Sequence, residues 1–281
     1  MAAPSIDQSP PSVEEQRPLT PAESYERYAV PALFAPAAER LLAAARPRPG
    51  ERVLDVGTGT GIVARRAAPR VGPAGLVAGL DVSADMLNVA RETASREDLA
   101  ITWYEGLAEH LPFPEGGFDL VLCQYALMFF GDTSAALGEM RRVLAPGGRV
   151  ALSVFQGIAR HPFYGSLEQA IARRLGVSTV AAIFALGEAD ALAESLAKAG
   201  FRDVAIDPFS LTAHLGPPAA FLAGEIEIDT AAIPSMQGLA PAARRELAEA
   251  IATEMAEPLR AVTAGDEVVM EFHDLIARAT C

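Results

Sequence analysis

Cysteine is nearly absent from the chain: there are two, Cys123 and Cys281, in 281 residues. Two thiols cannot build a disulfide framework, and Cys123 lies in an apolar run where a buried structural thiol is expected, so a reducing cytoplasmic compartment is predicted. Basic residues are also in short supply, 23 Lys and Arg against 36 Asp and Glu, for a net charge of -13. An acidic surface opposes nonspecific binding to nucleic acid and leaves a small-molecule partner as the favoured one. Long apolar runs are missing too. Residues 181–186 stop far short of the roughly 20 needed to span a bilayer, and no basic stretch followed by an apolar one opens the chain. Neither an integral membrane contact nor export is expected, and association into a homo-oligomer is left open. No internal period signals a solenoid.

Pro4, Pro10, Pro11, Pro18 and Pro21 stand among polar residues, so residues 1–21 bury too little surface to order themselves and read as a loose tail. Residues 22–281 read as one domain. Residues 34–45 have helical spacing of apolar positions and end before Pro47 and Pro49.

The stretch Val53-Leu54-Asp55-Val56-Gly57-Thr58-Gly59-Thr60-Gly61 carries the most information. Val53, Leu54 and Val56 suit a strand buried on both faces, as parallel sheets require. Gly57, Gly59 and Gly61 allow a tight turn and a close approach of backbone to ligand. Residues 62–68 read as a helix whose free N–H groups would point at an anionic ligand group. Strand patterns then alternate with helical ones: strands at 76–80, 101–105, 118–122, 149–155 and 202–206, a last strand within 265–277, and helices at 84–95, 133–144 and 188–199. That spacing implies parallel pairing through crossover helices, hence an open, doubly wound α/β sheet whose ligands bind at the strands' carboxyl ends. Two stretches break the alternation. Helical insertions at about 157–187 and 214–264 are placed to roof a cofactor and shape a substrate pocket.

Asp81 closes the second strand about twenty residues after the glycine turn, where a carboxylate can accept hydrogen bonds from ribose hydroxyls. The dinucleotide fingerprint would need glycine at position 62, where this chain has Ile62. These residues, with Glu105-Gly106-Leu107-Ala108-Glu109-His110-Leu111-Pro112-Phe113-Pro114, Phe118-Asp119-Leu120-Val121-Leu122-Cys123-Gln124 and Arg141-Arg142-Val143-Leu144-Ala145-Pro146-Gly147-Gly148, resemble the motifs of class I S-adenosylmethionine-dependent methyltransferases, in the group similar to the quinone-biosynthesis C-methyltransferases. The resemblance covers most of residues 50–155. It implies a seven-stranded, mostly parallel, Rossmann-like sheet with an antiparallel last strand. It also implies methyl transfer from S-adenosylmethionine to carbon or oxygen of a small molecule, without a metal. The cofactor site it implies comprises Tyr28, Asp55, Gly57, Thr58, Gly59, Gly61, Asp81, Val82, Met86, Gly106, Leu107, Ala108 and Gln124. Where the group's adenine loop carries an acid after its glycine, this chain has Leu107, leaving backbone groups of Leu107 and Ala108 to contact the ring. Tyr25, Tyr28, Tyr125, Phe129 and Phe130 are placed by the family pattern near the sulfonium, whose charge aromatic faces attract.

Each assignment has a plainer rival. Asp81 could cap a helix, although Ser83 is the better cap. Met86 could be core. His161, opening the first inserted helix, is the histidine placed toward a substrate as a base, against a helix-start or surface role. The pairs Arg65-Arg66, Arg141-Arg142 and Arg173-Arg174 read as solvated helix faces. Two other functions share the pattern: an S-adenosylmethionine-binding protein with a different activity, and an NAD-dependent oxidoreductase, which Ile62 and the lack of a Tyr-x-x-x-Lys arrangement disfavour.

Overall fold

A computed structural model describes residues 19–177, 180–231 and 240–281; the tail expected at 1–21 falls, for residues 1–18, outside them. Strands β1 (Arg52–Val56), β2 (Leu76–Asp81), β3 (Thr102–Glu105), β4 (Phe118–Gln124), β5 (Leu144–Phe155), β6 (Arg202–His214) and β8 (Glu267–Thr280) form one twisted sheet in the order β3-β2-β1-β4-β5-β8-β6, and β7 (Thr263–Ala264) adds a short hairpin rung to β8. The first five are parallel, while β8 runs antiparallel to both β5 and β6. The reversal of strand order lies between β1 and β4. Their carboxyl ends frame the crevice where such sheets hold ligands.

Helices cover both faces, as a parallel sheet demands. In β4 the period of two sends Val121 and Cys123 into one core cluster with Leu137 and Met140 of α5 (Thr133–Val143), and Leu120 and Leu122 into another. That second cluster holds Leu41 and Leu42 of α2 (Ala35–Ala45) and Val63 and Ala67 of α3 (Ile62–Val71). Helix α4 (Ala84–Arg96) begins at Ser83, whose hydroxyl accepts the Met86 N–H at 3.3 Å, as its sequence position suggested.

β6 and β8 are longer than their apolar patterns imply. They stay paired to His214 and Val269, well past the rest of the sheet. Their free ends carry a third cluster, in which Phe272, Met270 and Ala213 meet Phe163, Leu167 and Ile171 of α6 (Pro162–Leu175), Phe184, and Ile251 and Met255. Short α7 (Val180–Ile183) and α8 (Ala189–Lys198) precede β6; α9 (Pro218–Ala231), α10 (Pro241–Glu254) and α11 (Ala256–Ala261) separate it from β7. No helix among the described residues is long and apolar enough to cross a membrane.

The chain enters through α1 (Pro21–Ser24), whose Thr20 and Glu23 form a reciprocal capping box, and then a ten-residue π-helix, Tyr25–Phe34. Wide π turns are rare and concentrate at functional sites. This one is tied down by Arg65, which reverses the expectation of a solvated arginine pair. Arg65 is 5% exposed and bonds Glu26 of the π-helix and Glu97 beyond α4, each at 2.6 Å. Arg142 is likewise drawn in, donating to Glu139 and to the carbonyls of Leu111 and Phe113. Arg66 and Arg173 remain more than half exposed.

Replacing one partner of a buried ion pair leaves the other uncompensated. Arg65→Ala is expected to cost about 2 kcal/mol or more in urea denaturation and to open the 25–34 segment to rapid amide exchange, whereas Arg66→Ala should cost less than about 0.5 kcal/mol.

Candidate cofactor and acceptor site

The turn after β1 is held from within. Asp55 is 1% exposed; its Oδ2 accepts the Thr58 hydroxyl at 2.6 Å and the Ala64 N–H at 3.2 Å. Burial raises its carboxyl to about 7 against the opposing pull of those bonds, and the nearby charge of Asp81 raises it further. Gly57 and Thr58 both donate to the Leu80 carbonyl, at 2.8 and 2.9 Å, and Gly61 donates to the Thr58 carbonyl. Asp81 completes the frame: Oδ2 accepts the Gly59 N–H at 2.7 Å, Oδ1 the Ser83 N–H at 2.9 Å, and its carbonyl the Gly106 N–H at 3.0 Å. One set of hydrogen bonds thus joins Asp55, Gly57, Thr58, Gly59, Gly61, Asp81 and Gly106.

Of the α3 N–H groups expected to face an anionic ligand group, that of Ala64 is bonded to Asp55. Four N–H groups of the turn and the Ala64 N–H of α3 are already spent inside the protein. Phosphate-gripping loops keep such donors free. Asp81 stands at the open edge of the turn, and Asp55 is buried beneath it.

The glycines have separate reasons. All three have positive φ, 69° for Gly57, 55° for Gly59 and 85° for Gly61. A Cβ on Gly57 would collide with Ala126, and one on Gly61 with the indole of Trp103, which also crowds Gly79. A Cβ on Gly59 would meet nothing within 4 Å. Gly59 is therefore the open face of the turn, and Trp103 is a packing residue of the site that sequence reasoning missed. Its only signal was its place on β3 beside a glycine of β2.

The rim is apolar. Val82 is 64% and Leu107 51% exposed, Met86 is partly covered, and Ala108 is packed into the core with its side chain turned inward. Gln124 is buried; its Nε2 donates to the Phe34 carbonyl at 3.0 Å and its Oε1 has no partner. Tyr28 is not brought to the others. It is 62% exposed with Arg27 over its ring, because the π-helix turns it outward. Tyr25 takes the inward place: burial pushes its hydroxyl far up, with the charges of Glu26, Asp81 and Asp55 adding to the shift, and its ring packs on Phe34 at 4.9 Å.

Across β4 and β5 lies an aromatic wall. Tyr125 stacks on Phe155 at 4.2 Å, and Phe155 meets Phe184 and Phe272 at 5.6 and 5.8 Å. His161 stands in this wall, 3% exposed, its Nε2 accepting the His273 N–H at 3.1 Å. That bond uses the lone pair a base would need, and burial lowers the ring to about 4. The geometry supports the helix-start role of His161, ahead of Pro162, over that of a base.

A doubly wound sheet with this antiparallel edge, an acid at the end of β1, a second at the end of β2 and a self-bonded glycine turn define a nucleoside-binding α/β protein whose ligand is cationic near the turn. The turn fits S-adenosylmethionine: Gly59 leaves its backbone open to a ligand, and Asp81 stands at the end of β2, where a carboxylate can meet a ribose. Comparison with known proteins agrees. The methyltransferase domain family matches residues 53–148. The ubiquinone/menaquinone biosynthesis C-methyltransferase of Cupriavidus pinatubonensis is 39% identical over 117 residues, 42% of this chain and 48% of that protein. The nocamycin O-methyltransferase of Saccharothrix syringae is 36% identical over 185 residues, 61% of this chain and 66% of that one. Among solved structures, a methyltransferase-like protein of Bacillus halodurans superposes with a TM-score of 0.59 over 86% of this chain and 97% of its own, at 22% identity. Residues 53–148 thus match a methyltransferase domain, and the chain spans about half the length of the quinone-pathway relatives it matches.

Asp81→Ala removes the Gly59 and Ser83 bonds and the carboxylate expected to meet the ribose. It is expected to weaken S-adenosylhomocysteine binding at least about tenfold by calorimetry, the equivalent of one lost charged hydrogen bond; unchanged affinity would remove Asp81 from the site.

Proposed function

We propose that the protein methylates carbon or oxygen of a small molecule, with S-adenosylmethionine as donor. The observation that carries this reading is the self-bonded glycine turn flanked by Asp55 and Asp81, which favours a cationic ligand over a dinucleotide. The donor supplies a methyl group made electrophilic by its sulfonium. Displacement at such a carbon needs chiefly alignment and removal of water, and the chain's residues are suited to both. Gly59 lets the ligand's amino-acid part approach the backbone, and Thr58 and Gly57 hold that turn. Asp81 accepts from ribose. Val82, Met86, Gly106, Leu107 and Ala108 border the adenine, and Gln124 faces the reacting end. Tyr25 and the π-helix shut water out.

On this reading residues 22–281 act as one domain, and the helices after β5 and β6 cap the acceptor. The acidic surface keeps the protein off nucleic acid, and it works in the cytoplasm. The O-methyltransferase match extends beyond the cofactor-binding half, whereas the quinone-pathway C-methyltransferase matches are shorter, which supports an acceptor chemistry that includes oxygen. A solved [4+2]-cyclase also shares the fold, with a TM-score of 0.53 at 20% identity, so an activity other than methyl transfer is the reading to test against.

Calorimetry should show S-adenosylhomocysteine binding and no NAD binding, and labelled methyl should pass from S-adenosylmethionine into a metabolite extract. Tight NAD binding without S-adenosylhomocysteine binding would overturn the cofactor; binding without any transfer would leave the non-methylating alternative standing.

A further inference from the structure

Three buried polar side chains, beside the carboxyl ends of β4 and β5 and midway along antiparallel β8, have no hydrogen-bond partner elsewhere in the protein. Tyr125, the residue after β4, is 5% exposed; Ser153 and Asp274 are fully buried; the Tyr125 hydroxyl, the Ser153 Oγ and both Asp274 carboxyl oxygens are unpaired. Phe155 is the register partner of Asp274 and the Tyr125 ring lies flat on it, so that hydroxyl and carboxyl are neighbours and act on each other's ionisation. Burial raises Asp274 to about 7, with the Tyr125 hydroxyl offsetting part of the cost, and the Asp274 charge adds to the burial that pushes Tyr125 up.

Keeping a carboxyl in such a place is expensive. Tyr125 is costly a second time, since its φ of 48° is a left-handed conformation that a bulky residue rarely adopts. Strain and unpaired polar burial coincide at the crevice where doubly wound sheets hold ligands. The next residue, Ala126, lies against Gly57 of the cofactor turn, while Tyr125 itself belongs to the aromatic wall beneath the helices. The pair therefore stands between the two halves of the site.

On the methyl-transfer reading, we propose that Tyr125 and Asp274 form a proton relay that deprotonates an acceptor carrying an ionisable hydroxyl, Tyr125 touching that hydroxyl and Asp274 taking the proton. The acceptor's O–H bond breaks and its proton passes to the Tyr125 oxygen as the Tyr125 proton passes to an Asp274 oxygen. The electron pair left on the acceptor forms the new bond to the methyl carbon, on its oxygen or on a conjugated carbon, while the carbon–sulfur bond breaks with its electrons going to sulfur. Tyr125 is regenerated and Asp274 ends protonated. The neighbours of Asp274 leave its titration to these two groups. β5 contributes Ser153 and Phe155 and β6 contributes Phe209. The N-terminal segment contributes Phe34, against Tyr125. The two nearby histidines are engaged elsewhere, His161 with the His273 backbone and His273 with Ser210, and Arg278 further along β8 pairs with Asp207.

The test follows labelled methyl transfer from S-adenosylmethionine to a phenol and enol panel, naphthol and umbelliferone included, and to an amine and thiol panel, across pH. Phenol or enol turnover should rise through about pH 7, and Asp274→Asn should erase that rise and lower kcat at least about 100-fold with S-adenosylhomocysteine affinity unchanged. Tyr125→Phe, which keeps the ring stack, should lose rate similarly and decides the matter if Asp274→Asn fails to fold. A separate readout needs no acceptor. Because the folded-state value of Asp274 is raised, its contribution to stability is fully present at low pH and is lost as pH rises through about 7; Asp274→Asn should remove that part of the decline. Loss of S-adenosylhomocysteine binding in the wild type would sink the methyl-transfer reading itself. With that binding intact, variants that keep the wild-type rate and pH profile, label passing only to amines or thiols, or no label on either panel would each overturn the relay, as would a change confined to stability.

Discussion

The buried carboxyl of Asp55 is the constraint on which the mouth of the sheet depends. It ends β1 inside the core, where an acid is held only by the donors around it, and the Thr58 hydroxyl and Ala64 N–H are those donors. Satisfying both from one oxygen forces the chain to double back at once and to begin α3 in register with the strand. The positive φ angles of Gly57, Gly59 and Gly61 follow from that geometry. Asp81, bonded to Gly59 and Ser83, repeats the device one strand over. Burial chiefly, and the charge of Asp81 at the neighbouring strand end in addition, raise the Asp55 carboxyl to about 7, so the end of β1 favours neutralisation of its acid.

The same constraint explains why the cofactor half was readable from sequence and the rest was not. Gly57 to Gly61, Asp81 and the strand–helix alternation are local features: each is specified within a few residues, and period-two burial in β4 does the rest. Arg65 shows the limit. Its neighbours in sequence look like a solvated helix face, and only Glu26, 39 residues away, and Glu97, 32 residues away, reveal it as a buried tie. Tyr25 and Tyr28 differ by three positions, and an ordinary helix would set them on one side. The π turn separates them, turning Tyr28 to solvent, and nothing in a pattern of apolar spacing announces a π turn.

The helical half is written in long-range pairing. β6 and β8 run on together beyond the other strands, and this extension gives α6 and the helices that follow β6 an apolar surface to stand on. The last strand therefore serves both halves. Leu275, Ala277 and Ala279 pack in the core beneath the cofactor crevice, while Phe272 and Met270 pack under the helical layer. Asp274 sits at the changeover between them.

That position makes the fold's two halves interdependent. Tyr125 follows β4, yet its ring is built into the helical layer through Phe155, and Phe34 of the N-terminal segment closes on it at 5.9 Å. The carbonyl of Phe34 also receives the Gln124 amide. A ligand settling against Asp55 and Asp81 thus meets a segment that Arg65 ties from one side and Gln124 from the other. Phe34 of that segment packs on Tyr125, which in turn stacks on Phe155 of the wall beneath the helices.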